Sequence, residues 1–334
     1  MRIILLLGLL VACSNAPYKI SDHYDGKKFF NPWGVNNKKT LWDLAKWNFY
    51  GRRATWPKSV PNPELKLLPQ PTSGVNITWV NHSTFLIQTP TLTILTDPAW
   101  CERTSPVSFA GPKRIRAVGI PWEKLPKVDV VVVSHNHYDH MDIDSLVTLS
   151  KRDGALVLVP LGDAGWLREK GVTNIAEKDW WDVTTVAGAT FTFLPAQHWS
   201  ARWLWDKNES LWGAWGIDVE GVKLYHAGDT GLGPHFKETR ERFGTPDLAM
   251  LPIGAYEPRW FMKEMHMNPS DAVEAFKILG AKRAVGMHFA TFQLTDEEWD
   301  RPVRDLAQAL EAQQVPPEAF FAPTIGESFR LSSP

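Results

Sequence analysis

A chain of 334 residues, 44% hydrophobic and 22% charged, has the material for one large globular domain or two modest ones. Its formal net charge of −1, with no basic run, supplies none of the electrostatic footprint a nucleic-acid partner requires, which argues against nucleic-acid-processing classes. The 17 tryptophans are the outlier and point to aromatic recognition surfaces or an interfacial habit, with most of the rings in the core.

In chain order, Arg2 forms a minimal positive n-region and Ile3 to Ala12 an apolar run too short to span a bilayer. The run ends in Leu10-Val11-Ala12-Cys13-Ser14, which resembles the lipobox of bacterial lipoproteins. That resemblance implies a signal segment over residues 1–13 and a chain lipid-anchored at Cys13. Its place would be the cell envelope, on the periplasmic side of the outer membrane. Cys101 is then the one remaining thiol, without a disulfide partner, and is expected to be buried and inert.

Residues 14–73 are irregular, broken by Pro17, Pro32, Pro57, Pro61, Pro63, Pro69 and Pro71. Leu41, Leu44 and Ala45 with Trp42 and Trp47 predict one helix over Leu41 to Tyr50. We read this stretch as an extension that wraps a main domain over residues 74–334. From Gly74 the pattern alternates. Strands are predicted at Val75 to Val80, Thr84 to Ile87 and Leu92 to Leu95, a β-meander with a turn at Thr89-Pro90-Thr91. Further apolar runs follow at Val128 to Val133, Ala155 to Val159, Ala189 to Leu194, Gly221 to Tyr225, Asp247 to Pro252 and Ala284 to Met287. Helices are predicted between them at Ile143 to Lys151, Pro269 to Leu279 and Glu297 to Ala312, the second starting at Ser270 with Glu274 in its first turns. Strands with interspersed helices after a meander predict a layered α/β domain with mixed sheets.

The chemistry concentrates where the strands end. His135-Asn136-His137-Tyr138-Asp139-His140 follows the run to Val133 directly. In a near-extended segment, side chains two apart point the same way, so His135, His137 and Asp139 converge while His140 comes from the next turn. Four ligand-type residues in six positions anchor two adjacent metal ions. Later strand ends repeat the pattern with His198, Asp229 and His288. Imidazole and carboxylate donors without thiolate suit zinc best, with Mn or Fe compatible.

On these residues the chain resembles the metallo-β-lactamase superfamily from Gly74 to about Ser328. The resemblance implies an αββα sandwich with the site at one edge. Carried over by position, His135, His137 and His198 would hold the first of two metal ions, and Asp139, His140 and His288 the second. Asp229 would bridge both. Asp97, in Leu95-Thr96-Asp97-Pro98, matches an aspartate that orients a ligand or the water from behind.

A closer resemblance lies in Thr78 to Thr84, Ser134 to Asp142, Pro195 to Ser200, Leu211 to Trp215 and Gly228 to Gly231. The metal-free run Leu251 to Lys263 extends it. These segments are similar to N-acylphosphatidylethanolamine-hydrolysing phospholipase D. That family implies attack of a metal-bridging hydroxide on phosphorus, releasing N-acylethanolamine and leaving phosphatidic acid. Asp139, Asp229 and His266 would be the catalytic residues, His266 positioning the phosphate or the leaving group. The implied partners are a phospholipid or other phosphodiester and a membrane surface. Trp199, Trp203, Trp205, Trp212 and Trp215, with Leu204 and Leu211, are candidates for an apolar rim. A homodimer is compatible with the sequence. His82, His226 and His235 stay outside the metal shell, and His82, between two strands, is expected to hydrogen-bond near the site. Two other readings stand beside this one: a lactonase or other ester or amide hydrolase on the same dinuclear site, and an inactive metal-binding envelope lipoprotein.

Overall fold

The structure, a computed structural model, describes residues 17–332; the lipobox-like segment with Cys13 lies outside them. Seven α-helices, one 3-10 helix (Trp122–Lys124) and fourteen strands are formed among the described residues. The first sheet takes β1 (Val75–Asn81), β2 (Thr84–Gln88), β3 (Thr93–Thr96), β4 (Val130–Val132), β5 (Leu156–Pro160) and β6 (Ile175–Lys178) in chain order. The second takes β7 (Val183–Val186), β8 (Ala189–Leu194), β9 (Ala214–Val219), β10 (Val222–His226), β11 (Leu248–Pro252), β12 (Arg283–Met287) and β13 (Phe320–Phe321). The last strand, β14 (Ser328–Leu331), returns to the first sheet and pairs antiparallel with β1. Each sheet changes from antiparallel to parallel pairing partway across, at β3 in the first and at β10 in the second.

Parallel neighbours need a crossover, and α-helices supply it for every parallel pair except β3 and β4. In chain order the helices are α1 (Leu41–Tyr50), α2 (Ile143–Asp153), α3 (Ala164–Glu169), α4 (His235–Arg242), α5 (Arg259–Met262), α6 (Pro269–Leu279) and α7 (Arg301–Ala312). The valines of β4 show how the layers form. Val130 and Val132 face the second sheet in the inter-sheet core, while Val131 and Val133 pack outward with Leu146 and Leu149 of α2. A strand buried on both faces carries an unbroken β-branched run for this reason. Beyond the second sheet, Ala272, Val273, Phe276 and Leu279 of α6 and Leu306 and Leu310 of α7 close the core. The result is the αββα sandwich.

The start of α6 differs from expectation. Asn268, not Ser270, is the N-cap: its side chain accepts from Asp271 N at 2.8 Å, Asp271 returns the bond, and Pro269 occupies the first turn. Strands β6, β7, β9, β13 and β14 were not anticipated. β7 is an edge whose one hydrophobe packed on the core, Val186, is only half-buried, β13 is two residues long, and β9 carries Gly216, where a Cβ would collide with the Phe243 ring.

Residues 17–73 contain one helix, α1, with the predicted bounds and a Thr40–Asp43 capping box. This segment is tied to the sandwich by particular bonds. Trp47 Nε1 donates to Asp296 at 2.9 Å, Trp56 Nε1 to the Glu297 carbonyl at 2.7 Å, and Asn62 Nδ2 to the Ala117 carbonyl at 2.8 Å. Cys101 is partly buried, and burial together with Asp142 pushes its thiol up to about 12, so it is unreactive at neutral pH.

Candidate metal centre

Four strand ends meet at one edge of the sandwich. β4 leads into Ser134–His140, β8 into His198, β10 into Asp229 and β12 into His288. The histidine-rich segment is not extended as expected. Its chain turns at His137, whose carbonyl accepts from His140 N at 3.1 Å and Met141 N at 2.9 Å. Convergence of the side chains therefore comes from the turn. Gly228 has φ +57 before Asp229, and a Cβ there would lie 2.5 Å from the Ser134 side chain, so only glycine lets β10 approach this turn.

All seven expected ligands are brought together, in overlapping groups. His137 Nδ1 lies 2.8 Å from His135 Nε2 and 3.3 Å from His198 Nε2. In the second group His288 Nε2 lies 3.3 Å from Asp139 Oδ2 and 3.1 Å from Asp229 Oδ2. His140 Nε2 is 3.6 Å from Asp139 Oδ2 and 3.4 Å from Asp229 Oδ1. Asp229 reaches both groups, its Oδ2 standing 3.9 Å from His198 Nε2. Atoms bound to one tetrahedral zinc-sized ion at ~2.0–2.1 Å stand roughly 3.3 Å apart, the scale seen here. His140 Nε2, His288 Nε2 and Asp229 Oδ1 are buried and make no hydrogen bond. Buried polar atoms without partners are costly, and divalent ions at these points satisfy them. The residues present fit two such ions.

The groups behind the ligands fix their tautomers. His198 Nδ1 donates to the Met265 carbonyl at 3.0 Å, leaving the Nε2 lone pair toward the cluster. His140 Nδ1 donates to Asp97 Oδ2 at 2.8 Å with the same effect. Asp97 also accepts from Ser134 N at 2.7 Å, Ser134 Oγ at 2.8 Å and His226 Nε2 at 2.9 Å. His226 and His235 belong to none of the ligand groups, as expected, whereas His82 forms one with Asp139, His140 and His288, and His266 one with His198 and Asp229. The roles of His226 and Ser134 were missed because a residue that serves another side chain carries no spacing signal.

Burial pushes His135 and His198 far below the ordinary histidine value and His137 down to about 4. Their lone pairs are therefore free at neutral pH. Burial opposes ionisation of Asp139 and Asp229, yet His140 and His288 hold both well below the usual carboxylate range. The same carboxylates overcome burial at His140, held well up, and at His288, raised to about 9. A divalent ion competes with these two protons for the same nitrogens.

A cavity of about 660 Å³ opens on His137, Asp139, Asp229 and His266. His266 Nδ1 lies 3.7 Å from Asp229 Oδ2, and its ring faces the His198 ring edge-on at 5.2 Å. The cavity wall explains the metal-free run. Glu297, itself buried, accepts from Ala255 N at 2.7 Å and Glu257 N at 3.1 Å, holding the loop from which Ala255, Phe261 and Met262 line the cavity. The tryptophan cluster divides. Trp212, Trp215 and Leu211 are core, each at most 1% exposed, while Trp199, Trp203 and Leu204 line the cavity, the last two exposed at its mouth, and Trp205 stands in solvent.

Two mixed sheets with helices outside and a histidine–aspartate cluster at one edge define a metal-dependent hydrolase of the metallo-β-lactamase fold. Residues 93–289 match the β-lactamase superfamily domain. The chain is 38% identical over 273 residues to N-acyl-phosphatidylethanolamine-hydrolyzing phospholipase D 1 of Caenorhabditis elegans, covering 78% of this chain and 77% of that one. It is 36% identical over 241 residues to the mitochondrial N-acyl-phosphatidylethanolamine-hydrolyzing phospholipase D of Saccharomyces cerevisiae, covering 70% of this chain and 51% of that one. Among solved structures, an isothiocyanate hydrolase from Delia radicum gut bacteria shares the fold with a TM-score of 0.62 at 21% identity, covering 77% of this chain and 99% of that one. The chain belongs to the N-acylphosphatidylethanolamine-hydrolysing phospholipase D family of the β-lactamase superfamily.

Proposed function

We propose that this protein is a zinc-dependent phosphodiesterase of the phospholipase D type, cleaving N-acylphosphatidylethanolamine-like phospholipids to phosphatidic acid and N-acylethanolamine. The observation that carries the reading is the cavity. Polar groups capable of hydrolysis form its floor, and Trp47, Trp199, Leu204, Phe261, Met262 and Met265 form apolar walls suited to acyl chains. The names of the two relatives point to the same substrate class.

His135, His137 and His198 would hold one zinc ion, and Asp139, His140 and His288 the other, with Asp229 between them. Bound divalent ions supply water acidity near neutral pH and neutralise charge on the phosphoryl oxygens. The water oxygen adds to phosphorus, the bond from phosphorus to the ethanolamine oxygen breaks, and a proton passes to the departing oxygen. Asp139 and Asp229, held ionised, orient the water and accept its proton. His266, facing the cavity beside Asp229, positions the phosphate or the departing oxygen. The walls exclude bulk water from the reacting centre.

Exposed apolar side chains sit on the segments that line the cavity: Leu41, Trp42 and Phe49 on α1, Trp205 beside Leu204, and Trp260 beside Phe261. This rim would rest on a membrane surface, with a lipid anchor at Cys13 keeping it there. Among the described residues no helix is long and apolar enough to cross a membrane.

The test is incubation of the zinc-loaded protein with phospholipids and N-acylated phospholipids, with products identified by mass spectrometry. Phosphatidic acid with free N-acylethanolamine is expected. Release of fatty acid would replace this reading with the ester-hydrolase one, and no product from any lipid or lactone would favour an inactive metal-binding protein.

A further inference from the structure

We propose that His82 is a positioning residue of the second metal subsite, holding Asp139 and His288 at once from opposite sheets. His82 lies in the tight turn between β1 and β2, in the first sheet, with φ +43. Its side chain is 1% exposed, and its Nε2–H donates to Asp139 Oδ2 at 2.9 Å. Its backbone carbonyl accepts from His288 N at 3.0 Å, across the sandwich at the end of β12. His288 is itself in the left-handed region, φ +63, and its ring centroid stands 4.0 Å from that of His82. Two ligands from two sheets are thus referred to one residue.

His82 is itself held. Its carbonyl also accepts from Trp79 Nε1 at 2.9 Å, and its N–H donates to Thr291 Oγ1 at 3.1 Å. Those bonds fix the turn before the side chain makes any contact, so the imidazole approaches Asp139 from a rigid base. Its Nδ1 is buried with no partner, so no competing bond turns the ring away. A buried polar atom left unpaired is costly, and an apolar side chain packed here would avoid that cost. The bond to Asp139 is what the imidazole gains.

His82 shares a group with Asp139, His140 and His288, and the bond it makes to Asp139 assigns it the part of a donor. The 2.9 Å between His82 Nε2 and Asp139 Oδ2 is an N–H···O length. His82 therefore donates to the oxygen that also faces His288 Nε2 and His140 Nε2, and so fixes where that oxygen presents its lone pair.

This inference rests on the two-ion reading of the site. The test measures metal content by mass spectrometry, and affinity and cobalt(II) absorption by titration, in wild type, His82→Ala, His82→Phe and His82→Gln, with circular dichroism to confirm folding. Wild type should bind two ions. His82→Ala should keep the first ion and lose affinity for the second by about 10–100-fold. His82→Phe keeps the volume and gives the same readout should the alanine variant not fold. His82→Gln, whose amide N–H can replace that of Nε2, should retain both ions and the wild-type cobalt spectrum. Wild-type affinity at both subsites in His82→Ala or His82→Phe overturns the proposal. So does loss of the second ion in His82→Gln as complete as in His82→Ala, because a coordinating role would then be required. Fewer than two ions in wild type overturns the two-ion reading itself, a result distinct from either.

Discussion

Asp97 accepts the Nδ1–H of His140 at 2.8 Å, with neither side chain exposed to solvent. The same carboxylate takes three further donors from Ser134 and His226, so it fixes the turn carrying four candidate ligands while directing one of them. In Asp97→Asn an NH₂ group would face donors, and the turn would lose its acceptor. Affinity for the second ion should fall about 10–100-fold in a competition titration with a chromophoric chelator. Unchanged affinity would reduce Asp97 to a turn cap with no part in the metal site.

His266 borders the cavity and stands with His198 and Asp229 in one possible ligand group, outside the seven ligands assigned above. His266→Ala should lower kcat by about 10²-fold, the lower range for a positioned proton-transfer or charge-stabilising group, with metal content unchanged. Steady-state kinetics with metal analysis on the same preparation checks both halves. A variant that loses metal would make His266 a ligand, and wild-type turnover would remove it from the mechanism.

His23 ties residues 17–73 to the sandwich through Asp179 at 2.7 Å and a ring stacked on Trp180 at 4.4 Å, while its other ring nitrogen meets the neighbouring Asp22 at 2.6 Å. Burial lowers its pKa, but the bonds to Asp179 and Asp22 outweigh that and raise it above 6.5. A raised folded-state pKa means the protonated form is the one the fold stabilises. That stability is fully present below about pH 6.5 and is lost as pH rises through the folded value. In thermal melts, His23→Gln should therefore trail wild type most at about pH 5.5 and least above about pH 8. A Tm gap that is constant, or widest at high pH, would contradict the ion pair.

Trp42 and Trp205 are 77% and 72% exposed, and neither lines the cavity. If the rim rests on a bilayer, Trp42→Ser with Trp205→Ser should weaken vesicle binding by about tenfold, equivalent to ~1.4 kcal/mol and well within the value of burying two large side chains. Sedimentation with phospholipid vesicles measures this, and turnover of a soluble phosphodiester should not change. Equal vesicle binding would move the membrane contact elsewhere.

How much of this was readable from the chain depended on whether neighbours in sequence were also neighbours in space. The predicted bounds of α1 matched because helix contacts lie three and four residues apart, inside the window that a periodicity reads. Val130 to Val133 was legible because burial on both faces demands an unbroken apolar run. β7 was not, since a four-residue edge strand that packs only Val186 on the core is too short for its alternation to stand out, and the cap of α6 was misplaced because Asn268 and Ser270 offer the same chemistry two residues apart.

By itself the sequence determined the fold class and which seven side chains could meet a metal, because ligand chemistry belongs to residue type and strand ends follow from composition. The tertiary structure decided what surrounds them. It turned the chain at His137, set Asp97 and His82 behind the ligands, and sent Trp212 and Trp215 into the core while leaving Trp205 in solvent. It also made Leu251 to Lys263 into a cavity wall, through a buried Glu297 some forty residues away. The reason is physical: a hydrogen bond or a packed ring depends on the position of its partner, and those partners come from strands that meet only once both sheets have formed.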